Sequence, residues 1–523
     1  LMWLAYVKAG TPWNLVQLLA YALMYLQYYI VTAYGTSTKA NEHSDEYQFL
    51  GPGQGATDSP FAWALISSLL ILLYKRTAHG CTMQDPTGQL KWKRKIDSFV
   101  DDAYLFHGIL KTISAIALMQ MITHDISRWS KILWTSGGAI NGIKSFYSML
   151  IWTFDDNGIA QLAKNDQLPK NTVNIPNLSN PKETYTIKRK CVSEASKTLG
   201  VFKAADLSQT GELTNLKKKA NRFARALISC PLSHMHAWLA YWTVCIPGIT
   251  YSSSTTSLTE EQCSQVEKII KPSLVKKLGL PDTFPNLMLY GDKYFGGVGI
   301  LQLFAEQGMN QTLSIMRHIR AKTTLGDQIL IALRHYQNQA GISECVLSDT
   351  RPLPHMSIPW FDTFRQYLNN INGRLELTQS WQLKPQRAHD TFLMENFLNL
   401  QTFTPKEMKI LNACRMYYQV TRVSDITTPD GSRLMAKISN GTLSREQFNV
   451  VYKPQNEWPE QERPNKTSWK LWQKALRLTV CNVSGKLYKP LGSWHRDIDP
   501  DWIYFLSTTD NYLYKYQDQV WTR

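Results

Sequence analysis

Close-set cysteines are missing from this chain. Its eight cysteines, Cys81, Cys191, Cys230, Cys245, Cys263, Cys345, Cys414 and Cys481, include no CxxC or CxxxC pair. That excludes the common zinc modules, and wide scatter suits reduced thiols rather than a disulfide framework. No basic segment followed by a short apolar run and a cleavage site stands at the start. The reading is therefore an intracellular protein, nuclear or cytoplasmic, and not a secreted one. No fixed-period repeat is present, which excludes solenoids and propellers. Acid is also short: 41 Asp and Glu stand against 57 Lys and Arg, a net charge of +16. Such an excess favours a polyanionic partner, most simply nucleic acid. Charge alone does not separate nucleic acid from an anionic membrane surface.

Uninterrupted apolar runs of bilayer length are scarce as well. Trp13 to Tyr34 is long enough but carries Asn14, Gln17, Gln27 and several tyrosines, and Phe61 to Tyr74 is short for a bilayer. Both are expected to be buried core helices, and no membrane partner is expected. With 523 residues, 44% hydrophobic and 19% charged, the chain can fold into two to four domains with real cores. Aromatics are plentiful, with 17 Trp, 25 Tyr and 18 Phe. Most are assigned to the core, and a minority could stack on single-stranded bases.

The most informative stretch is Ile96-Asp97-Ser98-Phe99-Val100-Asp101-Asp102-Ala103-Tyr104-Leu105-Phe106. Leu90 to Phe99 and Ala103 to Phe106 read as strands, so the acid pair reads as a hairpin tip. Adjacent ionised carboxylates repel unless cations neutralise them. Hard divalent ions prefer carboxylate oxygen, and Mg²⁺ is usually held by one or two carboxylates plus substrate phosphates. An internal control is available in Asp155-Asp156-Asn157-Gly158. There Asn-Gly provides ordinary turn chemistry and the acids need no ion. No such turn residue follows Asp102.

Upstream lies Gly51-Pro52-Gly53-Gln54-Gly55-Ala56-Thr57-Asp58-Ser59-Pro60, leading into a helix expected over Phe61 to Tyr74. Downstream, after a helix expected over Leu110 to Leu133, come Gly137, Asn141 and Lys144 in a turn before a strand, Phe146 to Phe154. The order GxxQGxxxSP, then hydrophobic-x-DD, then GxxxNxxK resembles the palm of reverse transcriptases of the non-LTR retrotransposon and group II intron type. Thr198-Leu199-Gly200-Val201 looks like the primer-grip segment that follows. Tyr290-Gly291 with Gly296-Gly297-Val298-Gly299-Ile300 resembles an element of the helical thumb region. The resemblance covers roughly the first two thirds of the chain.

The resemblance implies RNA-directed DNA polymerisation, a nucleotidyltransferase activity working with two ions, Mg²⁺ (or Mn²⁺), on an RNA template, a DNA primer and deoxynucleotide triphosphates. It implies Asp101 and Asp102 as metal ligands and Lys144 as a catalytic group at the pyrophosphate. Gln54, Gly55 and Phe99 would meet the nucleotide and template, and Leu199 and Gly200 the primer. The helix expected over Glu212 to Cys230 carries Lys217, Lys218, Lys219, Arg222 and Arg225 and would track the duplex backbone; a solvated helix face is the plainer alternative. In the family another metal-binding aspartate precedes the Gly-rich segment. None stands in place here: Asp45 lies in a polar loop, and Asp97 is about 13 Å along the strand from Asp101. The chain is thus expected to be a C-terminal piece of a polymerase that cannot extend a primer alone.

His107, His124, His234, His236 and His495 show no ligand spacing beyond the His234-Met-His236 pair. They are assigned structural or surface roles. The expected fold is α+β: a partial right-hand polymerase palm over residues 1–205, an antiparallel sheet with the DD hairpin backed by helices. A mostly helical thumb and connection would follow over 206–355, then a mixed, Trp-rich C-terminal module over 356–523. Two rivals stand beside it. One is a non-catalytic nucleic-acid-binding protein derived from such an element. The other is a membrane protein anchored by the two apolar segments.

Overall fold

The computed structural model of the chain describes residues 2–25, 27–29, 31–32, 35–42, 59–99, 102–108, 114–170, 172–178, 180, 182–452, 454, 456–495, 503–506, 512–517 and 520–522. The chain is mixed α+β. Helix far outweighs strand, and the sheets among the described residues have two or three strands each. Two compact units interleave along the sequence. One comprises Leu1–Met83, Lys93–Met149 and Asn165–Lys190, the other Gln84–Trp92, Leu150–Lys164 and Cys191–Arg523.

In the first unit two long helices, Ser59–Thr77 and Ala115–Trp134, pack together behind a β-hairpin of Ile96–Phe99 and Asp102–Leu105. The second helix starts where Ser114 accepts a hydrogen bond from the Ala117 N–H at 3.1 Å, a side-chain N-cap. Its buried stripe, Met119, Ile122, Asp125 and Trp129, recurs every three or four residues, as one helix face requires. That face meets Leu70 and Tyr74 from the first helix, Ala78 just after it and Ile96 from the hairpin in one apolar cluster. The segment 166–180 contributes a strand. Val173–Pro176 pairs antiparallel with Thr184–Arg189, which runs parallel to Phe146–Tyr147, and Val173, Ile175 and Ile187 are buried.

Both apolar segments depart from expectation. The first of them forms a helix that starts at Trp13, after Gly10-Thr11-Pro12, and ends at Met24. Trp13, Leu15, Leu18 and Tyr21 on it are 46–64% exposed, and Val16 is its buried anchor against Tyr6 and Ala62. The helix Ser59–Thr77 also buries a single face, leaving Phe61, Leu72 and Leu73 exposed. A helix has several faces, and in each case the neighbouring elements cover only one of them. Among the described residues no helix is long and apolar enough to cross a membrane.

The second unit is dominated by helices. Glu260–Lys277 packs along Thr210–Ser229, and Leu303–Arg320 packs on Thr324–Ala340. Toward the C-terminus Phe397, Tyr418, Phe448, Trp469 and Trp472 build a dense aromatic core, so these two tryptophans are packing residues rather than stacking platforms. Arg415 is fully buried there. Its guanidinium donates to Asn412 Oδ1 at 2.9 Å, Gln339 O at 2.6 Å, Asn338 O at 3.1 Å and Val420 O at 3.3 Å. It thereby satisfies the carbonyls at the end of helix Thr324–Ala340, which have no intrahelical partner. Gly341, at φ 65°, leaves room for it: a Cβ there would lie 2.8 Å from the guanidinium. Arg415→Ala is expected to destabilise the second unit by about 3 kcal/mol or more, because buried acceptors lose their donors. Urea unfolding followed by tryptophan fluorescence measures this, and a loss under about 1 kcal/mol would contradict the assigned role.

Candidate functional site

The acid-bearing hairpin forms as expected. Ile96 pairs with Leu105, Asp97 with Tyr104, Ser98 with Ala103 and Phe99 with Asp102. Residues opposite one another share a face. Ile96, Ala103 and Leu105 therefore point to the helices, where Ile96 is 3% exposed. Asp97, Phe99, Asp102 and Tyr104 occupy the outer face, with Phe99 56% exposed and Asp102 exposed. Val100 and Asp101, between the strands, lie outside the described residues, as do Gln54, Gly55 and Asp45. Asp97 is hydrogen-bonded and ion-paired to Arg94 and is not available as a ligand. The described outer face thus offers one open carboxylate, Asp102, too few for a pair of divalent ions. A Mg²⁺ site here would need Asp101.

The third motif is explained locally. Asn141 Oδ1 accepts the Lys144 N–H at 3.1 Å, and Asn141 O accepts the Ser145 N–H at 3.0 Å. Asparagine here closes its own turn. The adjacent Gly142 is buried, and a Cβ on it would fall 2.6 Å from the Tyr185 ring. Lys144 itself is exposed.

Behind the hairpin lies a constellation that the reading of the histidines missed. Asp125 is 0% exposed on helix Ala115–Trp134. Its Oδ1 lies 2.8 Å from His79 Nδ1 and 3.0 Å from His124 Nδ1. Its Oδ2 accepts the His79 backbone N–H at 3.0 Å and lies 3.1 Å from His107 Nε2. His79 follows the first long helix and His107 follows the hairpin, so one carboxylate ties together the elements that carry the acid pair. Burial raises the Asp125 carboxyl, but the surrounding imidazoles of His107, His124 and His79, with the His79 N–H, outweigh it and hold the group well below the usual carboxylate range. Burial, then the charge of Asp125, pushes the Tyr74 hydroxyl upward. The three histidines are far apart in sequence, and the adjacent His124-Asp125 pair is the one local hint.

The remaining predicted residues lie in the second unit. Leu199 and Gly200 form the two-residue turn of a hairpin, Ser196–Thr198 with Val201–Lys203. Both have positive φ, 49° and 85°, the signature of a type I′ turn, and Leu199 O accepts from the Tyr251 hydroxyl at 3.1 Å. The basic helix spans Thr210–Ser229. Lys217 is half-buried and donates to Gln265 Oε1 at 2.6 Å, while Lys219, also half-buried, donates to Gly248 O at 2.8 Å. Lys218, Arg222 and Arg225 are exposed at spacings of four and three, so they form one outward stripe. The glycines of the 291–300 loop let backbone approach backbone: a Cβ on Gly297 would fall 2.0 Å from Gly291 O. That loop presents Tyr294 and Phe295, 88% and 82% exposed.

No family model matches this chain, and no curated protein is recognisably similar to it.

Proposed function

We propose that this chain derives from a retrotransposon reverse transcriptase and binds an RNA template paired with a DNA primer. The observation that carries the reading is the hairpin at the FVDD segment. Its inner face packs on two helices through Ile96, Ala103 and Leu105, and its outer face holds Asp102 opposite Phe99, open to solvent. Strands tied down on one side and bearing acid at the tip suit a phosphate-handling site in which a divalent ion bridges carboxylate and phosphate. The order of the three motifs and the cationic stripe on helix Thr210–Ser229 support the same reading. Asp101 and Asp102 are the proposed ligands for Mg²⁺ (or Mn²⁺), which when bound neutralises triphosphate charge and activates the primer 3′-hydroxyl. Phe99 and the Gln54-Gly55 segment are proposed to meet the nucleotide and template, Lys144 the pyrophosphate, and Leu199 and Gly200 the primer.

The single open carboxylate among the described residues of the hairpin face also favours a second reading, a retroelement-derived protein that binds template–primer without chemistry. The two part on activity. Primer extension is assayed with the chain and with a version lengthened at its N-terminus by an aspartate-bearing palm strand. Mg²⁺-dependent extension abolished by Asp101→Ala is the expected result for the lengthened protein. Extension that survives this substitution rules out the assigned role, and binding without any extension leaves the non-catalytic reading.

Binding itself yields a sharper number. Replacing Lys218, Arg222 and Arg225 with Gln is expected to lower the slope of log K against log salt by about 2 to 3, one phosphate contact per cation. The pair Lys217→Gln and Lys219→Gln is expected to leave the slope nearly unchanged, since those ammonium groups bond within the fold. Fluorescence anisotropy of a labelled template–primer across a salt series measures both.

A further inference from the structure

We propose that His79, His124 and Asp125 form a binding site for one divalent transition-metal ion of the zinc class, with His107 positioning the carboxylate from the interior. Two imidazole nitrogens converge on one carboxylate oxygen, at 2.8 and 3.0 Å. Among the described residues this is the group whose donor atoms, within 4.8 Å of one another, could hold an ion. The rings meet nearly edge to face, 77° apart with centroids at 5.2 Å, so their nitrogens converge instead of the rings stacking flat. Tetrahedral bonds of 2.0–2.2 Å place neighbouring ligand atoms about 3.3 Å apart. An opening of a few tenths of an ångström admits the ion, and half-exposed imidazoles can supply it by small rotations.

Access is one-sided. The His79 and His124 side chains are 42% and 54% exposed, whereas those of His107 and Asp125 are 8% and 0%. An ion can enter past the two outer histidines, and a water can complete its coordination there. The inner side is dry and built. His107 Nε2 is buried and lies 3.1 Å from Asp125 Oδ2, without the geometry of a full hydrogen bond. A nitrogen in that position fits the outer shell of a metal site, where a group behind the ligand fixes its orientation. The donor set decides the class. Imidazole with one carboxylate suits Zn²⁺ and its neighbours, whereas Mg²⁺ and Ca²⁺ take oxygen. The plainer alternative is a buried carboxylate held by imidazoles with no ion.

This site is separate from the hairpin acids, so its test stands apart from the polymerase reading. The full chain is freed of metal with a chelator and titrated with Zn²⁺ against a chromophoric competitor, and then with Co²⁺, whose visible spectrum reports coordination. One equivalent bound, with a rise in melting temperature, is expected. His79→Gln and His124→Gln, on exposed side chains that leave the far-ultraviolet circular dichroism unchanged, are each expected to weaken binding at least about 100-fold. His107→Gln is expected to weaken it about 10-fold or more, as outer-shell changes do. Absence of a bound equivalent in the parent chain would overturn the proposal. So would Zn²⁺ affinity and a Co²⁺ spectrum unchanged in the His79→Gln/His124→Gln double variant, since the ion would then sit on thiols elsewhere.

Discussion

The first unit depends on keeping one negative charge dry. Asp125 has lost all contact with solvent, and an isolated buried carboxylate costs several kcal/mol. The imidazoles of His79, His107 and His124 and the backbone N–H of His79 offset that cost, and the three residues come from three stretches of chain. The charge therefore acts as a specification. The helix, the turn after the first long helix and the segment after the hairpin must all arrive together, or the carboxylate is left unpaired. Cys81 and Gly108 reinforce the same junction through a parallel bridge, with the Gly108 N–H on Gly80 O.

This constraint bears directly on the acid hairpin. A two-stranded hairpin by itself is marginal in water. Here its apolar face is held by Leu70, Tyr74 and Trp129, and its outgoing end by the contact of His107 with Asp125. The outer face then needs no further support and can carry Asp102 and Phe99 toward solvent. Arg94 pairs with Asp97, which leaves Asp102 as the open carboxylate of that face among the described residues.

The second unit solves a similar problem with the opposite sign. Arg415 carries buried positive charge and spends it on carbonyl oxygens that helix termini leave open. Where backbone must pass close to backbone, as at Gly291 and Gly297, glycine is the residue that permits it. The exposed stripe of Lys218, Arg222 and Arg225 exists because Leu216, Ala220, Ala224 and Leu227 fix which side of that helix faces the core.

Local chemistry was legible from the residues themselves. The hairpin around the acid pair, the Asp155-Asn157-Gly158 turn and the basic helix follow from strand propensity, turn preference and helix periodicity, which act over a few residues. What covers a helix is not local. The exposure of Trp13, Leu18 and Leu72, and the burial of Trp469 and Trp472, were settled by which neighbours arrived. The same holds for the division of five cations into three that face solvent and two that bond inside. It holds most for His79, His107, His124 and Asp125. Histidines scattered along a sequence carry no spacing signal, and only folding brings their nitrogens to one carboxylate, because burying that charge requires them there.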